Sequence, residues 1–153
     1  MTAIVFADSS ALVKLYADEP GADAVRAIEL LAVSQLARVE VPAAIWRKHR
    51  IGELSADAAA VLTSAFEADY FGDGEAPARF TVVRLAEDIL ERAARLVGVH
   101  GLRAYDGVQL ATATAVMASL AGEPVGFAGY DKTLCSAAAA EGLVLQGEWS
   151  PTP

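Results

Sequence analysis

Four acids stand where the surrounding chain supplies a reason to look twice. Asp8 follows the apolar run 4–7, and Asp131 follows a second short apolar run, 125–129. Asp106 heads a segment that carries no further charge until Glu123, and Glu40 lies two positions before Pro42 in a helical pattern. Carboxylate oxygens are hard donors that suit Mg²⁺ or Mn²⁺, ions that keep several waters and bridge to phosphate oxygens. Gathered at one point, such acids repel each other, and a bound cation relieves the repulsion. Each acid also has a plainer reading, as a helix cap for Asp8 and Asp131 and as an ordinary exposed glutamate for Glu40.

The hydrophobic pattern supplies the strands and helices that carry these acids. Residues 4–7 form a continuous apolar run, which suits a parallel strand covered on both faces. Leu12, Leu15 and Tyr16 can share one face of the helix after it, closed by the turn Asp18-Glu19-Pro20-Gly21. A second helix carries Val25, Ile28 and Leu31, and residues 31–34 read as a second strand, with Ser34 free to cap a third helix. That third helical segment places Leu36, Val39, Ala43 and Trp46 on a stripe; Pro42 predicts either a kink near Glu40 or a fresh helix start. Ser55 caps a fourth helix to about Tyr70, with Ala58, Val61, Leu62, Ala65 and Phe66 inward. Residues 72–77 are a loop, and 80–85 a β-branched and aromatic strand. Leu85, Ile89, Ala93, Leu96 and Val97 define the apolar face of a further helix, with Asp88/Arg92 and Glu91/Arg95 as outward i,i+4 pairs. His100 ends that helix and has no second His or Cys near it. The helix opened by Asp106 stacks Leu110, Ala113, Met117 and Leu120 and must be buried nearly all round. Strand 125–129, a helix bearing Leu134 and Ala138, and edge strand 143–145 complete the pattern.

Length and composition narrow the classes. A chain of 153 residues with 54% hydrophobic content is neither disordered nor fibrous, and it is the size of one domain, here residues 1–148, followed by a flexible tail 149–153. The lone Cys135 and a first segment without a basic n-region point to a reducing, cytoplasmic setting, and no segment has the length and apolarity of a membrane span. A net charge of −8 argues against non-specific coating of nucleic acid, so a polyanionic substrate needs metal ions or a local basic patch. The densest basic cluster is Arg47-Lys48-His49-Arg50, which as a default is a solvated helix end.

If the strands before Asp8 and Asp131 are neighbours in a parallel sheet, the two acids fall at the same edge, where open α/β folds bind ligands. Asp106 and Glu40 can complete a ring. At these residues the chain resembles a known family. Asp8-Ser9-Ser10-Ala11-Leu12-Val13-Lys14-Leu15-Tyr16, Arg38-Val39-Glu40, the run from Leu102 through Tyr105-Asp106-Gly107 to Ala113, and Tyr130-Asp131-Lys132-Thr133-Leu134 look like the four acidic motifs of PIN-domain ribonucleases, and of their VapC-like toxins in particular. Gly107 departs from the alanine more common there. The resemblance implies an α/β fold, a three-layer α/β/α sandwich with a central, mostly parallel sheet of four or five strands.

It also implies divalent-metal-dependent RNA cleavage and a small VapB-like antitoxin partner. On this reading Asp8, Glu40, Asp106 and Asp131 hold one or two Mg²⁺ or Mn²⁺ ions, and a metal-activated water hydrolyses the phosphodiester. Ser9 and Ser10 support a carboxylate or phosphate, and Arg38, Arg47, Lys48 and Arg50 contact the RNA backbone. The apolar helices add the expectation of a homodimer. A rival from another class is a catalytically silent module that binds RNA or an antitoxin. A phosphotransfer fold with Asp8 as phosphorylated nucleophile is weaker, because Ser10 stands where a second Asp is common in such enzymes.

Overall fold

The computed structural model describes residues 3–146, so the tail expected at 149–153 lies outside the described residues. Five strands form one all-parallel sheet in the order β3-β2-β1-β4-β5: β1 Val5–Ala7, β2 Leu31–Ser34, β3 Phe80–Val83, β4 Gly126–Ala128 and β5 Val144–Leu145. Seven helices connect them among the described residues: α1 Ser9–Val13, α2 Ala22–Arg26, α3 Ala37–Arg50, α4 Ala56–Phe71, α5 Glu87–His100, α6 Ala104–Ser119 and α7 Lys132–Ala140. None is long and apolar enough to cross a membrane.

Alternation along the strands builds two cores. Val5, Ala7, Leu31, Val33 and Ala128 face one side, with residues of α1 to α4. Phe6, Ala32 and Phe127 face the other, with α5, α6 and α7. Successive strand side chains point to opposite faces, so a sheet covered twice is apolar on both, and β1, β2 and β4 are buried throughout, with Ser34 at the end of β2 the polar exception. The expected three-layer α/β/α architecture is therefore present. The order of strands matters most for function. The chain runs from β1 outward through β2 to β3, then crosses back to place β4 on the other side of β1, in register Ala7 with Ala128. That reversal makes the carboxyl ends of β1 and β4 the topological switch point of the sheet, where crevices form.

Several local expectations shift. α2 stops at Arg26, so Leu31 belongs to β2 and not to a helical stripe. α1 ends at Val13, which leaves Leu15 and Tyr16 in the turn beyond it. α3 runs unbroken through Pro42, which leaves the carbonyl of Arg38 without its usual helical donor but neither stops nor restarts the helix. Its inward row is Ala37, Val41 and Ile45, while Val39 is 67% exposed. In α4 the buried residues are Ala59, Phe66 and Tyr70, and Val61 and Ala65 are exposed. The expected α5 pairs give way to a different contact: Arg92 donates to Thr114 Oγ1 of α6 across 3.2 Å. His100 ends α5 as expected, and its Nε2 lies 2.7 Å from Glu141 Oε1.

α6 packs between its neighbours with an unbroken buried run from Gln109 to Thr114. The hydroxyls in that run turn back on the helix, Thr112 to the Val108 carbonyl and Thr114 to that of Ala111, and so enter the core satisfied. Gly107 has a packing reason: a Cβ there would collide with Val97 Cγ1 of α5. The missing methyl allows α5 and α6 to approach closely beside Asp106.

Candidate active site

Asp8 is built from the local chain outward. Its extended backbone ends β1, its own N–H donates to the Ala128 carbonyl of β4 across 3.0 Å, and its Oδ1 caps α1 by accepting from the Ala11 N–H at 3.0 Å. Ser10 donates a 2.6 Å hydrogen bond to the same oxygen and accepts one from the Tyr130 N–H. The cap reading and the site reading are thus both true of one side chain. Oδ2 lies where a Cβ on residue 129 would sit 2.9 Å away, so Gly129 keeps the floor of the site open. Asp8 is 4% exposed. Burial pushes its carboxyl up to about 6, against the pull of the Ser10 and Ala11 hydrogen bonds and helped by the negative charges of Asp106 and Glu40.

Glu40 arrives from the first turn of α3. Its Oε1 accepts from Ser9 Oγ at 2.9 Å and from Gln109 Nε2 at 2.7 Å, and the same amide donates to Ser9 Oγ at 3.1 Å. Three elements are thereby tied at one carboxylate. Asp131 caps α7 through the Leu134 N–H at 2.8 Å. Asp106, in the first turn of α6, accepts from Arg103 Nε at 3.0 Å, and the other end of that guanidinium lies 3.6 Å from Asp131 Oδ2. Beneath the floor, burial and then the charges of Asp8 and Asp131 raise the Cys135 thiol to about 11, which makes it an inert neighbour.

All four sequence-predicted acids line one cavity of about 400 Å³, together with Ser9, Ser10, Arg47, Arg103 and Gln109. Of the four basic residues expected to touch a substrate, Arg47 lines this cavity. Lys48 is held by Glu19 and Glu53, Arg38 pairs with Glu67 and covers the Phe71 ring, and Arg50 is exposed on the same helix. A larger cavity, about 620 Å³, opens between the turn after α1 and the α3–α4 pair, lined by Tyr16, Leu54, Val61 and Leu62 among others. Asp18, Glu53 and Asp57 line it, but none of Asp8, Glu40, Asp106 and Asp131 does, so volume does not mark the chemistry here.

Sequence reasoning missed Gln109 and Arg103. Gln109 is 2% exposed and its Oε1 has no hydrogen-bond partner among the described residues. The signal available was an amide in a charge-free buried helix, one turn after Asp106, where a polar group must find a partner. Arg103 was visible only as part of a motif.

Whether these residues fit a divalent cation can be asked of their chemistry. The donors are all oxygen, the ligand type preferred by Mg²⁺ and Mn²⁺, and the Asp8 carboxyl is disfavoured as an anion by burial and like charge, a condition a cation reverses. Gln109 lines the same cavity, and its buried Oε1 is left without a hydrogen-bond partner among the described residues. The set fits a hard cation. It is not a finished cage, because among the described residues no three acids, His or Cys are grouped closely enough to hold a metal ion, and Arg103 lies between Asp106 and Asp131.

No curated protein matches the chain. Among solved structures, a chain of a toxin-antitoxin complex from Klebsiella pneumoniae is similar over 84% of this chain and 87% of its own, with a TM-score of 0.54 and 18% sequence identity, a likeness of fold. A family model for the PIN domain matches residues 5–121, a stretch that contains Asp8, Glu40 and Asp106 and stops short of Asp131. With most of its length inside that match, the chain belongs to the PIN domain family.

Proposed function

We propose that the chain is a divalent-metal-dependent endoribonuclease, the cytoplasmic toxin of a VapBC-type toxin-antitoxin pair, restrained by a VapB-like antitoxin. The observation that carries the reading is the convergence of Asp8, Glu40, Asp106 and Asp131, from four separate segments, on one cavity at the switch point of the sheet. Membership of the PIN family, whose members are generally nucleases, supports the reaction class. The likeness in fold to a chain of a toxin-antitoxin complex supports the partner.

Asp8, Glu40, Asp106 and Asp131 would hold Mg²⁺ or Mn²⁺, which when bound stabilises charge on phosphoryl oxygens and lowers the pKa of water. The chain's own groups do the rest. Ser9 and Gln109 lock the rotamer of Glu40, and Ser10 with the Ala11 N–H locks that of Asp8. Such preorganisation matters because small misplacements of reacting groups are expensive in rate. Arg47 and Arg103 offer guanidinium groups at the rim, suited to phosphate oxygens.

One observation favours a second reading, a silent module that binds RNA or an antitoxin without cleaving: Arg103 already neutralises Asp106 and Asp131, and no closed cluster of acids is present among the described residues. Cleavage of single-stranded RNA in Mg²⁺ or Mn²⁺ decides between them. The nuclease reading expects cleavage that stops in chelator and in Asp8→Asn. Cleavage that continues at the wild-type rate in chelator overturns the metal mechanism, and no cleavage in either metal favours the silent module.

A further inference from the structure

A second cavity, about 350 Å³, shares Ser10, Ala44 and Arg47 with the acidic one. Its charge is of the other sign. Lys14, Arg47 and Lys48 line it against Glu19 and Glu53, whereas the acidic cavity sets four carboxylates against Arg47 and Arg103. In a chain with only 12 Lys and Arg residues and a net charge of −8, this grouping is not a general surface property.

The cations there are held in place. Glu19 links two segments, accepting from Lys14 Nζ at 2.9 Å and Lys48 Nζ at 2.8 Å, and Lys48 also reaches Glu53 at 3.2 Å. Lys14, mostly buried, stands 4.0 Å above the Tyr130 ring. Arg47 is exposed and makes no ion pair among the described residues, and it belongs to both walls. An RNA strand approaching four acids is repelled unless a neighbouring phosphate finds positive charge. Beside the acids, the charge in this cavity left without a carboxylate partner among the described residues is that of Arg47, because Glu19 and Glu53 hold the two lysines.

We propose that this cavity is a subsite for single-stranded RNA, in which Arg47, with Lys14 and Lys48 behind it, holds the phosphate adjoining the one that enters the acidic cavity. The inference rests on the ribonuclease reading for its ligand, yet it is a claim about binding and is tested as binding.

The probe is a fluorescently labelled single-stranded RNA of about ten nucleotides, titrated by anisotropy in chelator across a series of salt concentrations. Arg47→Gln is expected to weaken binding about tenfold, as for loss of a charge-assisted contact, and to reduce the salt slope by about 0.7. Arg50→Gln removes the same charge from the same helix but lies outside both cavities, and less than a twofold change is expected. Equal weakening by Arg47→Gln and Arg50→Gln, or no weakening by Arg47→Gln, overturns the subsite, as does wild-type protein that fails to bind the RNA. Inorganic phosphate bound as tightly as the RNA, at the same residues, overturns the RNA assignment. Failure of the ribonuclease reading looks different: the strand binds with the expected dependence on Arg47 but is never cut in Mg²⁺ or Mn²⁺.

Discussion

The Gln109 amide donates to Glu40 Oε1 across 2.7 Å of space and 69 positions of chain. It joins the head of α6 to the head of α3 and carries Ser9 with it. Gln109→Leu removes both donations together with the orphaned Oε1, so the fold should lose little, with the melting temperature within a few degrees of wild type. RNA cleavage should fall about tenfold or more, mainly in kcat, because Glu40 is then free to leave its rotamer. Gln109→Glu sets a carboxylate against Glu40 and should destabilise by about 1–3 kcal/mol in chelator, read by chemical denaturation.

Asp8 makes stability depend on pH in the unusual direction. Its carboxyl has an ordinary value of 3.8 in the unfolded chain and about 6 in the folded protein, so the folded state holds the proton more tightly. Stability contributed by the protonated form is present in full below pH 3.8 and is lost as pH rises through 6, a loss of about 3 kcal/mol. Asp8→Asn mimics the neutral form and remains a good helix cap. In chelator at pH 7 the variant should therefore be more stable than wild type by up to about 3 kcal/mol while being inactive, and the gap should close below about pH 4. Denaturant titrations at the two pH values check this. A variant less stable than wild type at pH 7 contradicts the burial argument.

Arg103 occupies, with one guanidinium, space between Asp106 and Asp131 that a divalent ion would compete for. Removing it as Arg103→Ala leaves the two acids to repel each other. Calorimetric titration should show Mg²⁺ or Mn²⁺ binding about fivefold more tightly than to wild type. Unchanged or weaker affinity means that the arginine does not compete with the ion.

Gly107→Ala tests the close approach of α5 and α6. A methyl there gains up to about 1 kcal/mol of helix propensity but strikes Val97 Cγ1. The single variant should be destabilised by about 1–3 kcal/mol, the usual range for overpacking, and Val97→Ala should recover part of that loss. A double-mutant cycle with a coupling of at least about 1 kcal/mol supports the account, and additive effects oppose it.

Some of this is written locally in the chain. The strand before Asp8, the strand before Asp131 and the caps made by both acids depend on a handful of consecutive residues: an apolar run, then an acid whose oxygen accepts from the amide three positions on. Apolar runs on three strands, 5–7, 31–33 and 126–128, likewise demand a sheet covered on both faces. α5 was legible because its apolar and charged faces contrast strongly. α3 and α4 are rich in alanine and carry apolar residues on several faces, so their periodicity admitted more than one inward row. Packing against the sheet chose Ala37, Val41 and Ile45, and it left Val39 and Val61 outside.

Local sequence was therefore enough to say where carboxylates end strands and begin helices, because capping and strand burial are short-range matters. Only the folded chain established that β4 lies beside β1, that Gln109 reaches Glu40, that Arg103 spans two acids and that Arg47 stands between two cavities. Those relations join segments separated by long stretches of chain. They arise from the order in which strands stack and helices cover them, and that order is set by the summed burial of the whole core, which no single segment encodes.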